Sequence, residues 1–191
     1  MAVKALFLDR DGVINQDVGY VSRAEHFHFI DGIFDLCRAA IDNKYMIIIV
    51  TNQSGIERGY FTEQEFQSLT QWMLNCFETA GIHITDVFHC PTLSGSNRKP
   101  NPGMFLTAKE RYNIDMQNSI SLGDKERDIL AGRRAGVGTN VLFSTSCSSS
   151  DAGQVITTLN EMQNLLKDDQ CECLLNTNIA KNPRLGQSSE S

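Results

Sequence analysis

Short apolar runs alternate along the chain with longer segments in which apolar residues recur every three or four positions. The runs lie at residues 5–8, 46–50, 86–90, 119–122 and 140–143. Each run is close to continuous, which is typical of strands that are covered on both faces of a sheet. The runs therefore predict five strands of a parallel sheet.

The segments between the runs carry helical periodicity. Residues 32–43 and 62–80 place their apolar positions on one helical face, and the second segment opens with a capping box. Two shorter helices are predicted over residues 101–112 and 125–136, the second of which ends at a glycine. Residues 154–167 fit an edge strand followed by a closing helix.

The alternation of strands and helices predicts an α/β fold with a doubly wound parallel sheet flanked by helices. Residues 1–167 form the predicted domain, and the polar tail over residues 168–191 is expected to be loosely ordered. No span between the polar motifs described below has room for a separate cap domain. Ligands of such sheets bind beyond the carboxyl ends of the strands.

Composition narrows the classes of partner. The net charge of −6 over 191 residues argues against a nucleic-acid partner, which would require basic patches. We find no targeting segment, and the longest apolar run is too short to span a membrane. Six irregularly spaced cysteines indicate reduced thiols. We expect a cytoplasmic protein that is a monomer or a small homo-oligomer and has no membrane partner.

Polar side chains follow four of the predicted strands, closely after three of them and after a loop in the remaining case. Because the carboxyl ends of parallel strands share one edge of the sheet, we expect these side chains to meet there. Taken singly, each motif also fits a cap or a turn. Their common placement makes a purely structural role for all four improbable. The set comprises Asp9 and Asp11, Thr51 and Asn52, Arg98 and Lys99, and Asp124.

This set combines three carboxylates with a hydroxyl and a lysine. Oxygen ligands that include carboxylates suit Mg²⁺, a hard ion that retains part of its water shell. Thr51 and Lys99 are suited to hold the oxygens of a phosphoryl group. The residues thus indicate phosphoryl chemistry on a small phosphorylated compound.

The stretches FLDRDGVIN, VTNQSG, RKPNPG and SLGDKERD resemble the four motifs of the haloacid dehalogenase superfamily of phosphohydrolases. Longer stretches such as VTNQSGIERGYFTE and RKPNPGM are similar to the branch that contains the heptose bisphosphate phosphatases and the histidinol-phosphate phosphatases. The resemblance extends from residue 3 to about residue 166. It leaves the tail out.

The resemblance implies a reaction and a role for each motif residue. Asp9 is the expected nucleophile, Asp11 the general acid and base, and Thr51 and Lys99 stabilise the phosphoryl group. The expected ligands of Mg²⁺ are Asp9, the main-chain carbonyl of Asp11, and Asp124. The expected reaction removes the 7-phosphate of D-glycero-D-manno-heptose 1,7-bisphosphate through an aspartyl phosphate. The product would feed the synthesis of nucleotide-activated heptose for lipopolysaccharide or another surface glycan.

The connection between Asp11 and residue 32 is long for a strand-to-helix loop, which makes it a candidate flap over the site. For Tyr20 in this loop, local packing is the alternative to a role in the site. For His26 and His28, packing is the favoured role. Asp128, one turn after the last motif acid, is expected to orient its neighbours. The resemblance implies a phosphorylated-sugar site formed by Asp17, Gly19, Tyr20, Asn52, Gln53, Ser54, Arg98 and Lys125.

One departure from the family concerns a structural zinc loop before the RKP motif. Cys90 is present, but Thr92 stands where the family has a histidine, and the second cysteine pair is missing. One thiolate does not complete a four-ligand site, so zinc is predicted to be absent. Cys171 and Cys173 in the tail are a less favoured source of further ligands.

Three other functions fit part of the pattern. A histidinol-phosphate phosphatase would use the same chemistry on an amine-bearing substrate. A signalling receiver domain also accepts phosphate on an aspartate, but its motifs would follow the strands in a different order. An inactive binding protein is disfavoured because all four motifs keep their reacting groups.

Overall fold

The strands build one six-stranded sheet in a computed structural model that describes residues 2–144 and 154–166. All neighbouring strands pair in parallel. The predicted doubly wound fold is therefore confirmed. The strands are β1 (Ala5–Leu8), β2 (Met46–Asn52), β3 (Asp86–Cys90), β4 (Ile120–Gly123), β5 (Thr139–Phe143) and β6 (Gln154–Ile156).

Helices connect the strands close to the predicted positions. The first four of them are α1 (Ile33–Asp42), α2 (Glu63–Thr79), α3 (Gly103–Tyr112) and α4 (Glu126–Ala135). A fifth, α5, covers residues 159–166 after the edge strand. Beyond these, the tail and its two cysteines lie outside the described residues. Within the described part of the chain, none of the helices combines the length and hydropathy needed to cross a bilayer.

Successive side chains of β1 enter two different cores, as the strand period of two requires. Leu6 and Leu8 pack in the larger core, to which α1, α2 and α5 contribute. Ala5 and Phe7 pack in the smaller core with α3 and α4. Each of the four is fully buried. Both faces of the sheet are thus covered, which explains why the sequence of β1 is apolar at every position.

The strand order β3-β2-β1-β4-β5-β6 reverses direction between β1 and β4. In open α/β sheets a crevice forms outside the carboxyl ends of the strands at such a reversal, and ligands bind there. Asp9 directly follows β1, and Asp124 directly follows β4. The fold therefore brings the first and last predicted motifs to opposite sides of one crevice.

Candidate active site

Asp9 lies at the base of the crevice with 5% of its surface exposed. Its Oδ1 accepts a hydrogen bond from the main-chain N of Arg10 at 2.8 Å and faces Lys99 Nζ at 3.0 Å. Burial raises the pKa of this carboxyl to about 7, against the opposing effect of the Lys99 charge. The nearby acids Asp128, Asp11 and Asp124 raise the pKa further.

Lys99 is buried among the carboxylates that it neutralises, with 1% of its surface exposed. Its Nζ lies 2.7 Å from Asp128 Oδ1 and donates to the carbonyl of Val50 at 2.8 Å. Burial acts to lower the pKa of Lys99, but the charges of Asp128 and Asp9 outweigh it and raise the pKa. The lysine is therefore held as a fixed internal cation.

Arg10 fixes the carboxylate of Asp11. Its Nη2 donates to Asp11 Oδ1 at 2.9 Å and to Oδ2 at 2.8 Å, and Nε reaches Oδ1 at 3.2 Å. Asn15 Nδ2 and Gln53 Nε2 each donate one further bond to this carboxylate, at 3.0 and 2.8 Å. Arg10 is 1% exposed and also donates to the carbonyl of Val21 in the long loop. The sequence motif predicted Asp11 but not this clamp.

Thr51 belongs to β2, which extends two residues beyond the predicted end, and is 1% exposed. Its Oγ1 accepts from Gln53 Nε2 at 2.9 Å. Gln53 was predicted to contact substrate, but its side chain is buried and joins Thr51 to Asp11. It thereby sets the relative position of two predicted catalytic groups.

Asn52 holds the segment that carries Lys99. Its Nδ2 donates to the main-chain carbonyl of Lys99, and its Oδ1 accepts from the main-chain N of the same residue, both at 3.0 Å. The side-chain amide therefore satisfies both main-chain polar groups of Lys99, a residue 47 positions later in the sequence, as a neighbouring strand would. Like Gln53, it lies outside the lining of the cleft described below.

The carboxyl groups of Asp9, Asp124 and Asp128 offer oxygen atoms that all lie within 4.8 Å of one another. Asp124 Oδ1 is buried and has no hydrogen-bond partner within the described residues. Gly12 adopts φ +90°, and a Cβ at this position would collide with the Asp124 carboxylate. Burial raises the pKa of Asp124 in spite of the neighbouring Lys125 charge. An acidic group of this kind fits a hard divalent cation.

Lys125 links the long loop to the carboxyl end of β4. Its Nζ lies 2.6 Å from Asp17 Oδ2 and 3.3 Å from Asp124 Oδ2. Burial tends to raise the pKa of Asp17, but the hydrogen bond and charge of Lys125 and the Gly19 amide lower it overall. The main-chain N of Lys125 donates to Asp128 Oδ2 at 3.0 Å, which orients that carboxylate.

A cleft of about 310 Å³ opens above these groups. Six residues predicted to bind substrate line it. Two further lining residues, Arg58 and Arg127, were not predicted. Both lie inside stretches that carry the family resemblance, VTNQSGIERGYFTE and SLGDKERD, so a basic residue within each stretch was the available signal. The lining comprises Asp9, Asp11, Asp17, Gly19, Tyr20, Ser54, Arg58, Arg98, Lys125 and Arg127.

Tyr20 combines a place in the cleft lining with a packing contact, since its ring meets that of Tyr60 edge-on at 4.6 Å. Half of its surface is exposed. His26 and His28 do not line the cleft, and both are exposed. The packing role favoured for the two histidines over a place in the site stays a prediction.

Cys90 ends β3 with 1% of its surface exposed. Its Sγ lies 3.3 Å from Thr92 Oγ1, so the thiol contacts the residue at the position where the resemblance implied a histidine. Within the described residues, the acidic group at Asp9 is the one cluster with metal-ligand spacing. The predicted absence of zinc remains a prediction, because Cys171 and Cys173 lie outside the described part.

Comparison with known proteins places this site in a family. Residues 6–170 match the model of the family described as polynucleotide kinase 3 phosphatase. A relative from Campylobacter jejuni, D-glycero-alpha-D-manno-heptose-1,7-bisphosphate 7-phosphatase, is 46% identical over 88% of this chain and 98% of its own length. The beta-named counterpart from Vibrio cholerae is 44% identical over 83% of this chain and 91% of its own length.

Solved structures show the same fold. The D,D-heptose 1,7-bisphosphate phosphatase from B. bronchiseptica, complexed with magnesium and phosphate, has a TM-score of 0.77 and 25% identity. The match covers 87% of this chain and 99% of that one. A HAD-like phosphatase from Mesorhizobium loti also has a TM-score of 0.77, with 31% identity over 87% and 85% of the two chains.

Proposed function

We infer that this chain, which belongs to the polynucleotide kinase 3 phosphatase family within the haloacid dehalogenase superfamily, removes the 7-phosphate of D-glycero-D-manno-heptose 1,7-bisphosphate. It is a phosphatase, as its relatives are named. The reaction would serve the synthesis of nucleotide-activated heptose for lipopolysaccharide or another surface glycan. One observation carries the catalytic assignment: the buried ammonium of Lys99 orients the Asp9 carboxylate at the base of a cleft lined with cations.

Asp9 is the proposed nucleophile. Its Oδ1 is held by the main-chain N of Arg10 and by Lys99. A carboxylate held in this way loses little orientational freedom when it attacks. The bond from Asp9 to phosphorus forms as the bond from phosphorus to the C7 oxygen of the sugar breaks, which gives an aspartyl phosphate and a sugar alkoxide.

Asp11 is the proposed acid and base. In its protonated form it donates a proton to the departing C7 oxygen, and the carboxylate then accepts a proton from the water that attacks the aspartyl phosphate. The clamp by Arg10, Asn15 and Gln53 keeps the carboxyl group in position through both steps. General acid–base catalysis of this kind contributes on the order of 10²–10⁴-fold.

Thr51 and Lys99 are proposed to bind the oxygens of the transferring phosphoryl group. Thr51 Oγ1 is positioned by Gln53, and Lys99 by Asn52 together with Val50. Since these donors are fixed before substrate binds, they need no reorganisation as charge develops on the phosphoryl oxygens.

The acidic group fits Mg²⁺, because its donors are carboxylate oxygens and the buried Oδ1 of Asp124 lacks a protein partner. Asp9, the main-chain carbonyl of Asp11, and Asp124 are the proposed ligands. When bound, the ion supplies positive charge that lowers the cost of bringing a phosphate to the carboxylates. Asp128, already paired with Lys99, keeps the proposed role of orienting its neighbours.

Histidinol phosphate is the rival substrate. Four cationic side chains line the cleft, at Arg58, Arg98, Lys125 and Arg127. They outnumber the three acids of the lining, Asp9, Asp11 and Asp17, so the cleft would repel the ammonium group of histidinol phosphate and attract a second phosphate. The cleft therefore supports a bisphosphate over an amine-bearing monophosphate.

Steady-state phosphate release with Mg²⁺ tests the proposal on both anomers of the bisphosphate and on histidinol phosphate. We expect a higher kcat/KM for the bisphosphate and a product that retains the phosphate on C1, measured by ³¹P NMR. Asp9→Asn should abolish turnover and leave the circular dichroism spectrum unchanged. A higher kcat/KM for histidinol phosphate, or release of the C1 phosphate, would contradict the proposal.

A further inference from the structure

We propose that Arg58 and Arg127 form the subsite for the non-reacting phosphate of the substrate. The inference rests on the proposed function, since it requires a substrate with two phosphates. It assigns a role to two cleft arginines to which the sequence analysis gave none. The subsite would distinguish a bisphosphate from the corresponding monophosphate.

The cleft carries an excess of positive side chains, although the chain has a net charge of −6. Two of the cations already have protein partners. Arg98 Nη1 donates to a main-chain carbonyl at 2.9 Å, and Lys125 pairs with Asp17 at 2.6 Å. For Arg58 and Arg127, no ion pair or side-chain hydrogen bond occurs within residues 2–144 and 154–166. Their guanidinium groups therefore keep hydrogen-bonding capacity for an anion from solution, although the charge of Arg127 also acts on Asp17 and lowers its pKa.

Arg127 stands at an electrostatically unfavourable position. It is the second residue of α4, where the helix dipole favours negative charge and opposes positive charge. Its neighbour Lys125 is close enough for the two charges to repel each other. Its Nε is buried without a hydrogen-bond partner in the described structure. An anion in the cleft would relieve the repulsion and supply the missing partner.

Arg58 reaches the same cleft from a different part of the fold. It lies in the loop between β2 and α2, where its main-chain N donates to the carbonyl of Ser54 at 3.1 Å. The guanidinium is exposed. One arginine from the β2–α2 loop and one from the start of α4 therefore flank the cleft. The planar guanidinium group can donate two parallel hydrogen bonds to two oxygens of a phosphate. This favours phosphate over an anion that offers only one acceptor atom.

The reacting phosphate has its own set of groups at Asp9, Thr51 and Lys99. A second phosphate held by the two arginines would anchor the opposite end of the sugar. Binding energy from such a remote group can be used to orient the reacting centre, so its loss would affect kcat as well as KM.

The experiment compares kcat/KM for D-glycero-D-manno-heptose 1,7-bisphosphate with that for the 7-phosphate, which lacks the C1 phosphate. The variants are Arg58→Gln, Arg127→Gln and the double substitution. Arg23→Gln is the matched control, because its side chain is 68% exposed and lies outside the cleft lining. We expect each cleft substitution to lower the bisphosphate-to-monophosphate ratio by about tenfold or more, as loss of a charge-assisted bond implies. The control should leave the ratio unchanged.

Arg127→Lys separates charge from geometry, and it should restore part of the ratio, since lysine keeps the charge but loses the fork. Equal losses on both substrates, or an unchanged ratio in both single variants and the double variant, would overturn the subsite. If the wild type prefers the bisphosphate and the variants keep that preference, the subsite alone fails. If the wild type shows no such preference while it hydrolyses p-nitrophenyl phosphate, the proposed substrate fails and the subsite fails with it.

Discussion

Replacing Lys99 with methionine should destabilise the metal-free protein, and the loss should be larger in alkaline than in acid solution. The ammonium lies 3.0 Å from Asp9 and 2.7 Å from Asp128, and it is 1% exposed. Its removal leaves two carboxyl groups buried without their cation. Removing one partner of a buried ion pair costs about 3–5 kcal/mol. We expect a loss of this size in the free energy of unfolding at about pH 8.5.

The pH dependence follows from the pKa of Asp9, which is about 7 in the fold and 3.8 as its ordinary value. The folded state holds a proton that the unfolded state releases between those values, so stability falls as the pH rises through this window. Above it, the wild-type carboxylate ionises beside Lys99, whereas the carboxyl of the variant stays protonated. At about pH 8.5, about 1.5 units above the pKa, ionisation stabilises only the wild type, by about 2 kcal/mol. The cost of the substitution should therefore shrink by about 2 kcal/mol at about pH 5.5.

Urea unfolding in the presence of EDTA measures the free energy of unfolding of the wild type and the variant at each pH. The fluorescence of the single tryptophan, Trp72, follows the transition. Lys109→Met is a matched control on the exposed face of α3 and should cost little at either pH. In an Asp9→Asn background, the pH dependence of the Lys99→Met cost should disappear. A loss below about 1 kcal/mol at about pH 8.5, or an equal loss at both pH values, would refute the reasoning.

Three further outcomes follow from the site. Asn52→Leu removes two hydrogen bonds to the Lys99 main chain, so kcat should fall about tenfold with little change in KM, and a change in KM alone would contradict this. Gly12→Ala adds a Cβ against Asp124 at φ +90°, so a Mg²⁺ titration of activity should show weaker apparent affinity than the wild type. Because the metal-free Asp9 carboxyl stays protonated up to about pH 7, Mg²⁺ binding below that pH should release a proton. Calorimetry in buffers of different ionisation enthalpy detects this release, and the affinity should fall about tenfold per pH unit below 7.

The convergence of Asp9, Thr51 and Asp124 was predictable from sequence because it depends only on strand order and direction, whereas Lys99 lies in the loop after β3. Parallel strands deliver their carboxyl ends to one edge whatever the details of packing. The hydrogen bonds of the Asn52 side chain were not predictable. Their partner, the main chain of Lys99, lies 47 residues away, and its position depends on the course of the intervening chain. The hydrogen bonds of Asn52 and Gln53 to Lys99, Thr51 and Asp11 were therefore not visible in the motif match, and the predicted substrate contacts of the two amides stay predictions.

The role of Arg10 was hidden for a related reason. In the sequence, an arginine between two acids suggests only that it compensates their charges. The apolar periodicity of the chain does not indicate that its side chain is buried. The fold buries it because its Nη2 reaches the carbonyl of Val21, and its guanidinium lies 5.7 Å from the ring of Phe66 on α2. The long loop and the proposed general acid are thus held by one side chain, which ties the position of Asp11 to that of the loop.

The charges at the base of the cleft favour a divalent cation there and also account for the protonation of the metal-free site. Asp9, Asp124 and Asp128 bring three negative charges within reach of one another, and Lys99 supplies one buried positive charge. When all three acids are ionised, a charge of about −2 remains, because Lys125 divides its interaction between Asp124 and Asp17. Burial, together with the charges of the neighbouring acids, raises the pKa of Asp9, so the metal-free protein protonates this acid instead of ionising all three. A divalent cation matches the remaining charge and would allow the nucleophile to ionise at neutral pH.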